Sequence, residues 1–221
     1  MSDTGSRPEP ARGALDKFDR LARGYSSHDY ADPSRYTARR ARVATGLGPP
    51  LAPGATVLDL ACADANMAEP LLALGYRYRG VDGSAGMIDE ARKRLGDRVP
   101  LDVALMDEYE PPEPVDMTLC LRAFYYPADR VAFLRRVAGY TTTKVVFDFN
   151  PRALAAAGIE RDLRAAGLEL TARRAYLLPQ SIRLPGAAAS AVRAIERVEP
   201  LAALVLRARG QWLYAAVPAS R

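Results

Sequence analysis

The chain has 221 residues, is 49% hydrophobic and 26% charged, and carries a formal net charge of +5 at neutral pH. That size and apolar content suit a single globular domain with a proper core, or one domain with short additions. No apolar run approaches the roughly 20 residues that cross a bilayer, so no stable membrane insertion is expected.

The basic balance does not point to nucleic acid. Arginines alternate with acids, as in Glu90-Ala91-Arg92-Lys93-Arg94, and no basic run interleaves with aromatics. Cys62 and Cys120 both sit in or beside apolar runs and suit small reduced thiols in a core. The polar start lacks the apolar centre of a signal peptide, so a cytoplasmic location is expected. His28 is the only histidine, and no cluster has metal-ligand spacing, so no metal is expected.

Taken in order, residues 1–12 are polar and proline-containing and are expected to be disordered. The spacing Leu15, Phe18, Leu21, Ala22, Tyr25 predicts a one-sided helix. A loop over 26–33 leads to a second helix over 34–47, stopped by Gly46 or Gly48 and followed by Pro49, Pro50 and Pro53. Residues 13–54 thus form a helical cap ahead of the first strand.

An apolar run over 57–60 then enters a loop of small residues, 61–65, and a helix over 67–74 ending at Gly75. A second strand ends on Asp82, and Ser84 caps a helix over 85–95. Third and fourth strands follow over 100–107 and 115–121. Asp129 caps a helix over 130–140, and a β-branched, aromatic strand covers 143–149. A helix over 158–166 and a strand over 168–178 form the next unit. Helices over 187–198 and 200–210 make an insertion of about 185–209, and a last strand occupies 211–217. Strand alternating with helix predicts an α/β fold with a mainly parallel sheet, whose ligand crevice lies outside the carboxyl ends of the strands. Asp59 and Asp82, one at the end of each of the first two strands, should face one crevice.

Val57-Leu58-Asp59-Leu60, Gly80-Val81-Asp82-Gly83-Ser84 and the following Met87-Ile88-Asp89-Glu90-Ala91-Arg92 resemble the first two motifs of the class I S-adenosylmethionine-dependent methyltransferases. The resemblance spans roughly residues 15–151. It implies a three-layer α/β/α Rossmann-like fold, with a seven-stranded, mostly parallel sheet whose last strand is antiparallel. On that basis residues 55–221 form the methyltransferase domain.

The resemblance also implies roles. Asp59 orients the methionine end of S-adenosyl-L-methionine, Ala61 and Ala63 line the loop, and Asp82 with Gly83 meets the ribose. Met87 opens the helix beyond. Asp107, or Glu108 in its place, accepts a hydrogen bond from the adenine amine. Leu121 and Arg122 close the cofactor side at the end of the fourth strand. Tyr125 and Tyr126 are the candidates for the reacting methyl, and His28 is the candidate base. Tyr25, Tyr30, Tyr36 and Asn150 are candidates for the acceptor, a small molecule methylated on oxygen or nitrogen.

One departure stands out: Ala61, Ala63 and Ala65 replace the alternating glycines usual in the family. The loop keeps its path if these alanines hold negative φ, with Asp64 and Asn66 taking any left-handed position. The alternative is a non-catalytic scaffold or accessory protein that keeps the fold and binds a partner. A nucleotide-dependent oxidoreductase is argued against by the absence of G-x-G-x-x-G after the first strand.

Overall fold

The structure is a computed structural model that describes residues 9–26, 30–179, 181–182 and 184–219. Seven strands form one sheet: β1 (Thr56–Leu60), β2 (Arg77–Asp82), β3 (Leu101–Val103), β4 (Val115–Cys120), β5 (Thr141–Phe149), β6 (Leu168–Tyr176) and β7 (Gln211–Pro218). Their spatial order is β3-β2-β1-β4-β5-β7-β6. β1 to β5 pair in parallel, and β7 runs antiparallel to both β5 and β6. The expected seven-stranded sheet with an antiparallel last strand is present. The chain moves outward from β1 to β3, then returns to place β4 on the other side of β1, so the switch point lies between those two strands.

Strands buried on both faces need apolar residues at successive positions, and β1 has them. Leu58 and Leu60 join one core layer; Val57 joins the other. The first layer is completed by α5 (Arg130–Tyr140), α6 (Ala156–Ala165) and α8 (Glu199–Leu206). The second is completed by α2 (Pro33–Thr45), α3 (Ala68–Ala73) and α4 (Ala85–Leu95). On α4 the spacing of Met87, Ile88, Ala91 and Leu95 puts all four inside, each large side chain worth about 1.5–3 kcal/mol on burial. Two more helices, α1 (Glu9–Leu21) and α7 (Gly186–Ile195), complete the eight among the described residues. Lys144, fully buried in β5, donates to the carbonyls of Thr45, Leu47 and Pro49 and so clamps the end of α2 to the sheet.

Several bounds differ from the sequence reading. Residues 9–12 are helical, while the rest of the segment expected to be disordered, 1–8, lies outside the described residues. α1 stops at Leu21, before Tyr25, because the chain turns at Gly24 with φ +68°. β3 is three residues long instead of eight. As an edge strand it pairs only with β2, and beyond Val103 the chain curls into a turn in which Glu108 and Tyr109 both donate to Leu105. The inserted helices α7 and α8 are each shorter than expected.

Candidate functional site

The chain leaves β1 after Asp59-Leu60 and passes through Ala61, Cys62, Ala63, Asp64 and Ala65. The expectation of negative φ at the alanines is wrong: Ala61, Ala63 and Ala65 have φ of +56°, +51° and +55°. Asp64 and Asn66 are not among the positive-φ residues. The loop therefore follows a path suited to glycine, at roughly 1–2 kcal/mol for each left-handed alanine. Surrounding bonds impose it. Cys62 N–H donates to Val81 O at 3.0 Å and Ala63 N–H to Asp82 Oδ2 at 2.8 Å. The Arg94 guanidinium donates to the carbonyls of Asp64 and Ala65 at 2.8 and 3.0 Å. Strand β2 and helix α4 thus hold a backbone that the alanines alone would not choose.

Two acids from adjacent strands stand at this loop. Asp59 is buried, accepts from Tyr78 Oη at 2.9 Å, and has its pKa pushed up to about 7. Desolvation is the main cause; the Tyr78 hydrogen bond opposes it, and the Asp82 charge adds to it. The Asp82 carboxyl is also raised, by desolvation first, against the hydrogen bonds it accepts from the Ser84 and Ala63 amides. Each carboxylate oxygen of Asp82 takes one amide, which leaves lone pairs on both for a diol.

The cap closes over these acids. Asp19 on α1 accepts from the Ser84 hydroxyl and from Gly86 N–H, tying α1 to the start of α4. The approach is close: a Cβ on Gly83 would meet Leu15 Cδ2 at 2.7 Å. Ser26 joins cap and loop, donating to Asp64 Oδ1 and accepting from Asn66 Nδ2. Deeper in, Asp148 pairs with the buried Arg40 guanidinium and accepts from the Arg122 amide. Arg122 itself has φ +61°, and its guanidinium donates to Tyr30 Oη at 3.1 Å.

These parts enclose a cavity of about 530 Å³, within the range of small-molecule sites. Asp59, Ala61, Ala63, Asp82, Gly83 and Met87 line one end of it. Asp107, Glu108, Leu121 and Arg122 line it too, as do Tyr25, Tyr30, Tyr36, Tyr125 and Tyr126. Asn150 does not: its side chain folds back to accept from the Arg152 amide at 3.0 Å, outside the cavity wall. His28 lies outside the described residues.

Tyr125 and Tyr126 are half exposed at the mouth, their rings 4.4 Å apart, and Phe18 of α1 meets Tyr126 edge-on. Burial first, and then the neighbouring Tyr125, push the Tyr126 hydroxyl far above its ordinary value, so it is neutral near pH 7. Sequence reasoning passed over Phe18, Thr37 and Arg40 as wall residues. The signal for Arg40 was available: it sits beside Thr37, Ala41 and Ala44 on the apolar face of α2, where an arginine needs a buried partner.

Residues 57–144 match the family model described as a methyltransferase domain. A search of the curated proteins finds no match. Among solved structures, a chain from the complex of the Haloferax volcanii Trm112 methyltransferase activator with a methyltransferase is similar, with TM-score 0.68 and 21% identity. The alignment covers 96% of this chain and 98% of that one. Magnesium protoporphyrin IX methyltransferase from Synechocystis PCC 6803, with bound SAM, gives TM-score 0.66 and 17% identity over 98% of this chain and all of the other. The [4+2]-cyclase SpnF gives 0.64 and 17%, covering 95% and 97%. Similarity at these identities is a likeness of fold. The chain thus shares its fold with these methyltransferase structures, and residues 57–144 match a methyltransferase domain.

Proposed function

We propose that the protein is an S-adenosylmethionine-dependent methyltransferase acting on a small molecule through an oxygen or nitrogen acceptor. One observation carries this: two acids from adjacent parallel strands and a left-handed loop share a cavity whose space the alanine methyl groups do not fill. The bound cofactor supplies an electrophilic methyl on a sulfonium. In this reading Asp59 holds the methionine end and Asp82 the ribose diol, while Asp107 or Glu108 takes the adenine amine. Met87 and Leu121 flank the nucleoside.

The protein's own work is positioning and exclusion of water, and orientation alone can contribute about 7–11 kcal/mol in well-aligned cases. The Tyr125 and Tyr126 rings offer negative faces to a cationic centre. Tyr25, Tyr30 and Tyr36 shape the acceptor side, with Arg122 held over Tyr30 at 5.9 Å. His28 is retained as the candidate base. A cytoplasmic location accords with two free thiols, Cys62 and Cys120.

A second reading has one observation in its favour. The cyclase SpnF has this fold at TM-score 0.64, so a chain built this way can serve a different reaction or act as a scaffold. Incubation with methyl-labelled cofactor and fractionated cell metabolites separates the two. Transfer of label to a small molecule, reduced in Tyr125→Ala and Tyr126→Ala, is expected. Cofactor binding without transfer to any fraction would favour the second reading.

A further inference from the structure

A second cavity, of about 570 Å³, opens at the same carboxyl edge of the sheet, over β6 and separated from the first by Tyr36, which lines both. Its walls are α2, the end of β6 with the segment beyond it, and α7. Arg35, Arg39 and Arg42 come from one face of α2, at spacings of four and three residues. Arg174 of β6 and Arg193 of α7 reach it from the other walls. Asp32 is the one acid in the lining among the described residues, and its carboxylate already accepts from the Arg35 amide and the Ser34 hydroxyl.

Like charges four apart destabilise a helix on their own, and here the guanidinium groups are only partly compensated. Arg39 stacks over the Tyr176 ring at 4.6 Å and pairs with the buried Glu196. Glu196 is itself fixed by accepting from the Leu177 amide at 2.8 Å. That fixing leaves Arg39 Nη1 buried without a hydrogen-bond partner, and Arg174 Nε is in the same position. Among the described residues Arg35, Arg42 and Arg174 form no ion pair. A buried donor without a partner is costly, most of all on a charged group, and an anion placed among these arginines offsets the repulsion between their charges. The rest of the lining is apolar, with Val43, Leu178, Ile182 and Leu184 contributing.

We propose that this cavity is a binding site for a phosphate monoester with an apolar body. Planar guanidinium groups arriving from three walls suit a dianion with three terminal oxygens, to which each can donate in pairs. The apolar lining suits the organic part, and inorganic phosphate would leave it uncovered. The site is distinct from the first cavity and does not depend on what that cavity binds.

The test is calorimetric titration of the full chain with phenyl phosphate, inorganic phosphate and benzyl alcohol, each with and without saturating S-adenosylhomocysteine. Phenyl phosphate is expected to bind saturably and at least about tenfold more tightly than either of the others. S-adenosylhomocysteine should not displace it. The exposed double variant Arg35→Gln/Arg42→Gln should lose about tenfold in affinity for phenyl phosphate while keeping that for S-adenosylhomocysteine. Ile182→Ala, at a half-exposed rim position, should weaken phenyl phosphate and leave inorganic phosphate unchanged. Absence of saturable binding overturns the proposal. So does displacement by S-adenosylhomocysteine, or equal affinity in the double variant.

Discussion

Three alanines carry the sharpest consequence at the level of single residues. Ala61, Ala63 and Ala65 occupy left-handed backbone with their methyl groups in place, so glycine there removes strain of roughly 1–2 kcal/mol per site. Greater freedom in the unfolded chain offsets about 0.4–1 kcal/mol of that gain. Ala63→Gly should therefore raise stability by up to about 1 kcal/mol in denaturant unfolding. At an ordinary negative φ the same change would lower it, so the sign of the shift tests the loop conformation.

Asp59 makes a second prediction, in pH. Its folded pKa of about 7 lies above the unfolded value near 3.9. Between these values the folded protein holds a proton that the unfolded chain has released. Unliganded stability should thus fall as pH rises from about 4 to about 7, then level off. A cationic methionine end favours the carboxylate, so cofactor affinity should fall as pH drops below about 7, by up to tenfold per unit. Titrations across this range should show that slope, and Asp59→Asn should remove it.

Among the elements, α1 is tied to the site through the start of α4. Asp19 supplies its two polar links to the start of α4. Asp19→Ala should let α1 lift more often, increasing tryptic cleavage at Arg23 by about fivefold, which corresponds to losing roughly 1 kcal/mol. An unchanged cleavage rate would mean that the apolar contacts of Leu15 and Phe18 hold the helix without it. Elements with a strong period and a good cap were legible in the sequence. α4 and α5 match their expected bounds residue for residue because Ser84 and Asp129 accept from the amides of Met87 and Ala132. β3 was not legible: its apolar residues 104–106 continue the strand pattern, but an edge position with a single neighbour left the turn free to form. The conformation of 61–65 was also hidden, because local preference argued for one backbone and the bonds from β2 and Arg94 imposed another.

For the whole molecule, reversal of strand order between β1 and β4 explains why residues from distant parts of the chain share one cavity. Asp59, Asp82 and Arg122 arrive from the ends of β1, β2 and β4, Asp107 from the turn after β3, and the cap contributes Tyr25, Tyr30 and Tyr36. Asp59, Asp82 and Arg122 were legible because those strand ends can be located along the chain; Arg40 and the arginine-lined second cavity were not, since they depend on how α2 seats against β6. The central claim is that the first cavity grips adenosine and its methionine tail despite its glycine-free loop. Calorimetric titration of the wild-type chain and Asp82→Ala with S-adenosylmethionine tests it most directly. Saturable one-to-one binding is predicted, weakened at least about tenfold in the variant, the scale of a lost charged hydrogen bond. No detectable binding at millimolar cofactor, or equal affinity in the two proteins, would contradict it.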